Sequence, residues 1–498
     1  MGNYFYDMVP AEELSQLRCF PTIPEYVEWI GEKWADRPAL SDGAVSFTYA
    51  QMCSRIARRR AFFNSLGLSK GDKVAILERN SIDAVETFLA VTSAGYVAIM
   101  LPTQLPVPAV QGCCAKFGVS LLVVREEFKE AYAEAPCKVV LSSAMSEEEA
   151  PVASVDSNDP AAIFFTGGTT GAPKGAVLPH RSLMRGSMNG CYSPGSILSE
   201  GHRYVCFLPL SHVFGLIRST LSVLQTGAEW YAAEDMKATI GKLPAIRPTD
   251  LVLVPGLCEI LVGITKMYGP QFLGGRLKTI IAGAANVPPR LMEEFSRMGV
   301  RLLAGYGMTE GGNLTSGNVD TDRKPTSVGK IYPEQEVKIV DGEIWMKGDN
   351  VFLGYYGDPI NTKAVLTDDG WLKTGDLGRF DEEGFLYITG RIKNLIILSN
   401  GENVSPEVIE EPFYKCAALK DCLVKEDNAD GETCIAIDIL PRMEAFEGKA
   451  WEEVESFFHK LVDDVNATLP STHRVTKVSV RKEDFKRTGS LKVSRNQN

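Results

Sequence analysis

The densest chemistry in the chain lies in Thr166-Gly-Gly-Thr-Thr-Gly-Ala-Pro-Lys-Gly175, directly behind the apolar run Ala161–Phe165. Gly167, Gly168 and Gly171 let a backbone turn tightly and aim N–H groups at an anion. Thr166, Thr169 and Thr170 add hydroxyl donors, and Lys174 adds a positive charge. This donor set suits a polyphosphate. It is not a Walker loop, because Pro173 stands five residues beyond Gly168 and no Ser or Thr follows Lys174. A Gly/Thr-rich stretch is commonly just a surface loop. The buried run before it and its Pro-Lys end favour the anion reading.

Three further sites carry chemistry of their own. Tyr306-Gly-Met-Thr-Glu310 follows the apolar run Val300–Leu303. Tyr306 can stack on a purine while Gly307 lets a ligand approach the backbone. Thr309 can donate to a phosphate, and Glu310 offers oxygens to Mg2+, a hard cation. Asp376, in Thr374-Gly-Asp376, has a carboxylate able to hold two neighbouring hydroxyls. An isolated Asp in that setting is more often a turn former. Lys492 lies in the basic stretch Arg487-Thr-Gly-Ser-Leu-Lys-Val-Ser-Arg495, whose ordinary reading is a solvated tail.

In order along the chain, these segments resemble the motifs of the adenylate-forming superfamily, which includes acyl-CoA synthetases, peptide-synthetase adenylation domains and luciferases. The matching segments are Thr166–Gly175, Gly305–Glu310, Gly370–Asp376, Gly390–Lys393, Gly401–Pro406 and Lys486–Arg495. The resemblance implies ATP, Mg2+ and coenzyme A as ligands, and a catalytic set of Thr166, Glu310 and Lys492. It further implies adenine stacking on Tyr306, a magnesium role for Glu310, ribose contacts from Asp376 and Arg391, and a small-residue wall at Gly283 and Ala284. In such a reaction two anions meet, a carboxylate and the α-phosphate. A cation bridging them, here Lys492, stabilises the transition state. The resemblance also implies a swinging C-terminal domain hinged at Lys393, which presents Gly401, Glu402 and Asn403 to the thiol.

The segment Phe207–Gly215 resembles the region flanking the acyl pocket. His212, Val213 and Phe214 are expected to border that pocket with Gly283, Gly307 and Met308. Aminoacyl members carry an acidic partner nearby for the substrate ammonium. None stands here, so a free α-amino acid is a poor substrate candidate. The motifs sit nearest the fatty-acyl and aryl acid:CoA ligases. Loading of a carrier-protein thiol and a catalytically weakened nucleotide-binding homologue are the alternatives. Three departures bear on activity: Gly167 for the usual serine, Val408 for a glutamate and Leu491 for a glycine.

These residues need a large scaffold. The chain of 498 residues is 45% hydrophobic, beyond what one core usually serves, so at least two domains are expected. Its 52 basic and 63 acidic side chains leave a formal charge of −11, which disfavours nucleic acid and anionic membranes as partners. Eleven scattered cysteines and five histidines suggest reduced thiols and no zinc site. No signal peptide or membrane-spanning run is evident, and a cytoplasmic enzyme, with fatty-acid metabolism as one setting, is expected.

Alternation of apolar runs with amphipathic stretches predicts an α/β fold with parallel-rich sheets flanked by helices. Strands are expected at Lys73–Leu77, Tyr96–Leu101, Ser120–Val124, Ala161–Phe165, Tyr204–Leu208, Leu251–Val254 and Leu277–Ala282. Helices are expected after Thr48, over Ser81–Ala94 and over Val213–Gln225. A β-rich lobe, about residues 330–390, should complete an N-terminal domain of residues 1–390. Residues 391–498 should form a small mobile α+β domain, with helices near Ser405–Tyr414 and Ala450–Leu469.

Overall fold

Continuous Val/Ile/Leu runs leave no polar face, so their strands must be covered on both sides, as parallel sheets are. In the computed structural model, which describes residues 4–5, 11–166, 174–192, 201–398, 402–429, 432–487 and 493–495, they are. Lys73–Leu77 pairs in parallel with Val97–Leu101 on one side and Val119–Val124 on the other. Val97–Leu101 is buried at every position. They belong to a seven-stranded sheet that also contains Pro160–Thr166 and Lys174–Pro179.

A nine-stranded sheet holds Arg203–Cys206, Asp250–Leu253, Thr279–Ala282 and Arg301–Tyr306, paired in parallel in that order. One apolar core joins both sheets with the helices Ile23–Lys33, Tyr49–Ser65 and Ile82–Ser93. Thr48 caps the second of these in a capping box with Gln51, and Ser81 caps the third by accepting from the Ala84 amide at 3.0 Å. Both caps satisfy orphan helix donors at the positions expected from sequence.

The β-rich lobe is a four-stranded antiparallel sheet of Gln335–Val340, Glu343–Gly348, Leu372–Phe380 and Leu386–Arg391. Asp341 and Gly342 both have positive φ, 50° and 83°, which is the backbone of a tight two-residue hairpin turn. Beyond it lies a second, separate apolar cluster that includes Ile409, Phe413, Val424, Ile437, Val454 and Phe458. The helices Pro406–Phe413 and Trp451–Asn466 pack there on a three-stranded sheet of Leu419–Ala429, Glu432–Pro441 and Lys477–Val480.

Two features differ from the sequence expectation. Val213–Gln225 is not one α-helix: Phe214–Leu221 is a π-helical turn, followed by the short α-helix Ser222–Gln225. The wider spacing is visible where Ser222 N–H reaches the Ile217 carbonyl. The strand Leu372–Phe380 has no apolar alternation, because its inward positions are Leu372, Thr374, Asp376 and Gly378. Among the described residues no helix is long and apolar enough to cross a membrane.

Candidate active site

In sheets of this kind, ligands bind beyond the carboxyl ends of the strands. Thr279–Ala282 runs into Gly283 and Ala284, and Arg301–Tyr306 runs into Gly307 and Met308. All four residues line a cleft of about 3380 Å3. The cleft also takes in Thr166, Lys174, His212, Val213, Phe214 and Thr309, so the expected anion and acyl residues share one space.

Local backbone explains the small side chains. A Cβ on Gly307 would lie 1.3 Å from the Asn313 carbonyl oxygen, so no other residue fits. A Cβ on Gly283 would stand 3.2 Å from the Phe214 ring. Ala284 has φ of 65°, a left-handed conformation that costs an alanine about 1–2 kcal/mol. Such conformations cluster at ligand sites.

Asp376 is the centre of a tight polar group. Strand register sets it opposite Arg391, whose Nε and Nη2 both donate to its carboxylate. The Tyr306 hydroxyl donates to Oδ2 at 2.7 Å. Burial, and then the Asp376 charge, raise the Tyr306 hydroxyl well above an ordinary phenol, so it stays protonated and donates. The three residues come from sequence positions 306, 376 and 391. Asp376 is 5% exposed, so this carboxylate is already desolvated and fixed in direction.

A second polar chain runs beside the end of Thr166. Glu310, on a short 3₁₀ turn, accepts from the Tyr355 hydroxyl at 2.7 Å. The Lys174 ammonium lies 5.0 Å from the Tyr355 ring centre and donates to Asn361 Oδ1 at 2.7 Å. Thr166 and Lys174 face each other across paired antiparallel strands, which brings the two ends of the glycine-rich loop together. Tyr355 and Asn361 were not singled out in the sequence. The Gly354–Tyr355 strand pairing with Lys174–Pro179 brings Tyr355 here, the helix Pro359–Val365 carries Asn361, and no local motif announces either contact.

Among the described residues there is no group of three His, Cys, Asp or Glu that could hold a metal by itself. A single carboxylate such as Glu310 nonetheless fits Mg2+, which keeps several waters and is commonly completed by substrate phosphates.

Lys393 lines the same cleft. Desolvation and then the Arg391 charge hold its ammonium below the ordinary lysine value, against the pull of Asp376 and Glu310. The structure does not bring Glu402 or Asn403 into the cleft. Glu402 pairs with His473 at 3.0 Å, and Asn403 pairs in a two-stranded ladder with Ile397. Gly167, Gly168, Thr169, Thr170, Gly171, Gly401, Leu491 and Lys492 lie outside the described residues.

With this geometry in place, comparison with known proteins is informative. Residues 27–356 match the family described as AMP-binding enzyme, and residues 393–498 match the AMP-binding enzyme C-terminal domain. The chain is similar to feruloyl-CoA synthase of Amycolatopsis sp, at 29% identity over 87% of this chain and 93% of that protein. It is similar to long-chain-fatty-acid–CoA ligase of Bacillus subtilis, at 26% identity over 82% of this chain and 84% of that one. Among solved structures, ATP-bound MatB from Rhodopseudomonas palustris superposes with a TM-score of 0.82 at 25% identity, covering 95% of this chain and 97% of MatB.

Proposed function

We infer the roles of individual residues from the premise that this chain belongs to the AMP-binding enzyme family and is an AMP-forming carboxylic acid:CoA ligase. It uses ATP and coenzyme A to convert a fatty or aryl acid to its thioester. The observation that carries the residue assignment is the convergence of Tyr306, Asp376 and Arg391 with Glu310 and Lys174 along one cleft.

Asp376 and Arg391 hold the ribose hydroxyls, and Tyr306 supplies a face for adenine while its hydroxyl orients Asp376. Thr166, Thr309 and Lys174 bind the phosphates, together with the loop Gly167–Gly171. Mg2+ on Glu310 would neutralise phosphate charge when bound. The acid lies against His212, Val213 and Phe214, beside Gly283, Ala284, Gly307 and Met308.

Its carboxylate is ionised at neutral pH, so no general base is required. One carboxylate oxygen attacks the α-phosphorus, the bond to the bridging oxygen breaks, and pyrophosphate leaves. Lys492 bridges the incoming carboxylate and the α-phosphate. The coenzyme A thiol, losing its proton, then attacks the acyl carbon and AMP departs. The residues beyond Lys393 rotate about it between these steps, bringing Gly401, Glu402 and Asn403 toward the thiol. Glu402 and Asn403 lying away from the cleft supports such a rotation. Eleven free thiols fit a reducing cytoplasm as its site.

The test is pyrophosphate release with MgATP across ferulate, indoleacetate and palmitate, followed by coenzyme A or holo-carrier protein as thiol acceptor. We expect pyrophosphate release with one of these acids and thioester with coenzyme A. Lys492→Ala should lower pyrophosphate release by about 100-fold or more. Thioester on the carrier protein alone would refute the choice of coenzyme A, and undiminished adenylation by Lys492→Ala would refute its role.

A further inference from the structure

Val408, where the sequence pattern lacks a glutamate, is 40% exposed, while its neighbour Glu407 is drawn into a network that spans the C-terminal unit. Asn394, the residue after Lys393, donates from Nδ2 to Glu407 Oε1 at 2.8 Å. The Ser405 hydroxyl lies 2.8 Å from Oε2. On its other side Glu407 Oε1 stands 3.0 Å from Arg495 Nη2.

Arg495 is itself fixed. It reaches both Glu410 oxygens, at 3.1 and 3.0 Å, and donates to the Val424 carbonyl at 2.9 Å. Arg487 is fixed in the same manner, on Asp421 at 3.1 Å and Asp484 at 2.9 Å. The two arginines flank residues 488–492. Backbone pairing joins the flanks: Arg487 bridges Val493, and Ser494 N–H donates to the Lys486 carbonyl at 2.9 Å. Val493, the residue after Lys492, is therefore held to the body of the C-terminal unit from both sides.

Resting on the roles given above to Lys393 and Lys492, we infer that Glu407 is a positioning residue for adenylation. Through Asn394 and Arg495 it ties the turn beside the hinge to the segment that brackets Lys492. Rotation at Lys393 is then passed to Arg495 and, through the pairing of Arg487 with Val493, to the residues on either side of that segment. A carboxylate suits this task because it accepts from an amide and a guanidinium at once, and charge-assisted bonds are short and directional. A glutamine keeps the shape but loses the charge toward Arg495.

Such a residue affects one half-reaction. In the full chain, Glu407→Gln should lower pyrophosphate release about tenfold with the best acid of the panel. Conversion of that acid's chemically prepared acyl-AMP to thioester with coenzyme A should change less than twofold. Asn394→Ala cuts the link on the hinge side alone and should give the same split at about threefold. The double variant should lose no more than Glu407→Gln does.

Equal losses in both half-reactions, no loss in either, or additive losses would overturn the inference. Should Glu407→Gln fail to fold, Asn394→Ala decides by the same split. Lys492→Ala run in parallel separates the two readings. If it adenylates normally, the premise fails. If it loses adenylation while the Glu407 and Asn394 variants retain it, only the link fails.

Discussion

The two walls of the cleft are held by different forces. On the large unit, Asp376 and Arg391 face each other in strand register, and Tyr306 ends a strand of a nine-stranded sheet. Backbone ladders fix these groups, and few degrees of freedom remain to them. On the C-terminal unit, the segment around Lys492 is bracketed by polar side-chain pairs, Arg487 on Asp421 and Asp484, and Arg495 on Glu407 and Glu410. That unit has its own apolar core. Among the described residues it makes an ion pair to the large unit, Arg442 to Glu259, long at 3.5 Å beside Arg290, which already occupies the same carboxylate, and its Ser405 hydroxyl donates to the Thr389 carbonyl at 2.7 Å. Groups proposed to hold a nucleotide through both half-reactions are set by sheet register. Groups proposed to arrive and leave ride on a body with an apolar core of its own.

Asp376→Ala tests this contrast most severely. It removes the acceptor shared by Tyr306 and Arg391, and kcat/KM for ATP should fall by about 100- to 1000-fold. Unlike the Glu407 variants, it should also slow thioester formation from acyl-AMP, because the adenylate occupies the same wall. Normal thioester formation by Asp376→Ala would break the comparison.

Two buried groups, one in each unit, should also respond to pH in opposite directions. Burial holds the His180 imidazole down at about 4, and its Nδ1 accepts from the Ile23 amide. The unfolded chain then binds a proton that the folded chain refuses. The contribution of His180 to the stability of the large unit is complete above about pH 6.5 and declines toward pH 4, by on the order of 3 kcal/mol. Glu410 shows the reverse: burial pushes its carboxyl up to about 8, Glu407 adding to the rise and Arg495 opposing it. The folded C-terminal unit keeps a proton that the unfolded chain releases, so its stability declines as pH rises from about 4.5 through 8. Hydrogen exchange at pH 5 and pH 8.5 should find the C-terminal core weaker at the higher value, while in the large unit Glu78, which burial pushes up to about 7, offsets the His180 trend. His180→Gln should flatten the first trend.

The smallest effect is expected from Arg442→Ala. A long, partly exposed pair contributes about 0–1 kcal/mol, so the ratio of the two half-reaction rates should shift by less than about fivefold. A larger shift would mean that the units are latched rather than loosely joined.

Much of this was legible in the chain itself. The parallel strands are apolar runs, and the caps at Thr48 and Ser81 are written in residue type. The ordered motifs gave the family and named Tyr306, Asp376 and Arg391, which the fold brings together. Leu372–Phe380 escaped because its inward positions carry Thr374, Asp376 and Gly378, so the strand that holds the central carboxylate has no hydrophobic period. The π-helical turn Phe214–Leu221 has the same apolar content as an α-helix and differs only in bond spacing. Tyr355, Asn361, Asn394 and Glu407 carry no motif of their own.

Sequence by itself determined which groups are present: a glycine-rich loop with threonines and a lysine, a desolvatable aspartate, a lone glutamate with oxygens fit for a hard cation and a lysine near the end of the chain. Those follow from residue type and local spacing. Only the tertiary structure decided that Tyr306 and Arg391 converge on Asp376, that Tyr355 joins Lys174 to Glu310, and that Glu407 stands between Asn394 and Arg495. Each of these contacts joins residues brought together by strand pairing or packing between elements. A hydrogen bond over 3 Å depends on the backbone path between its partners, and that path is fixed by the whole fold.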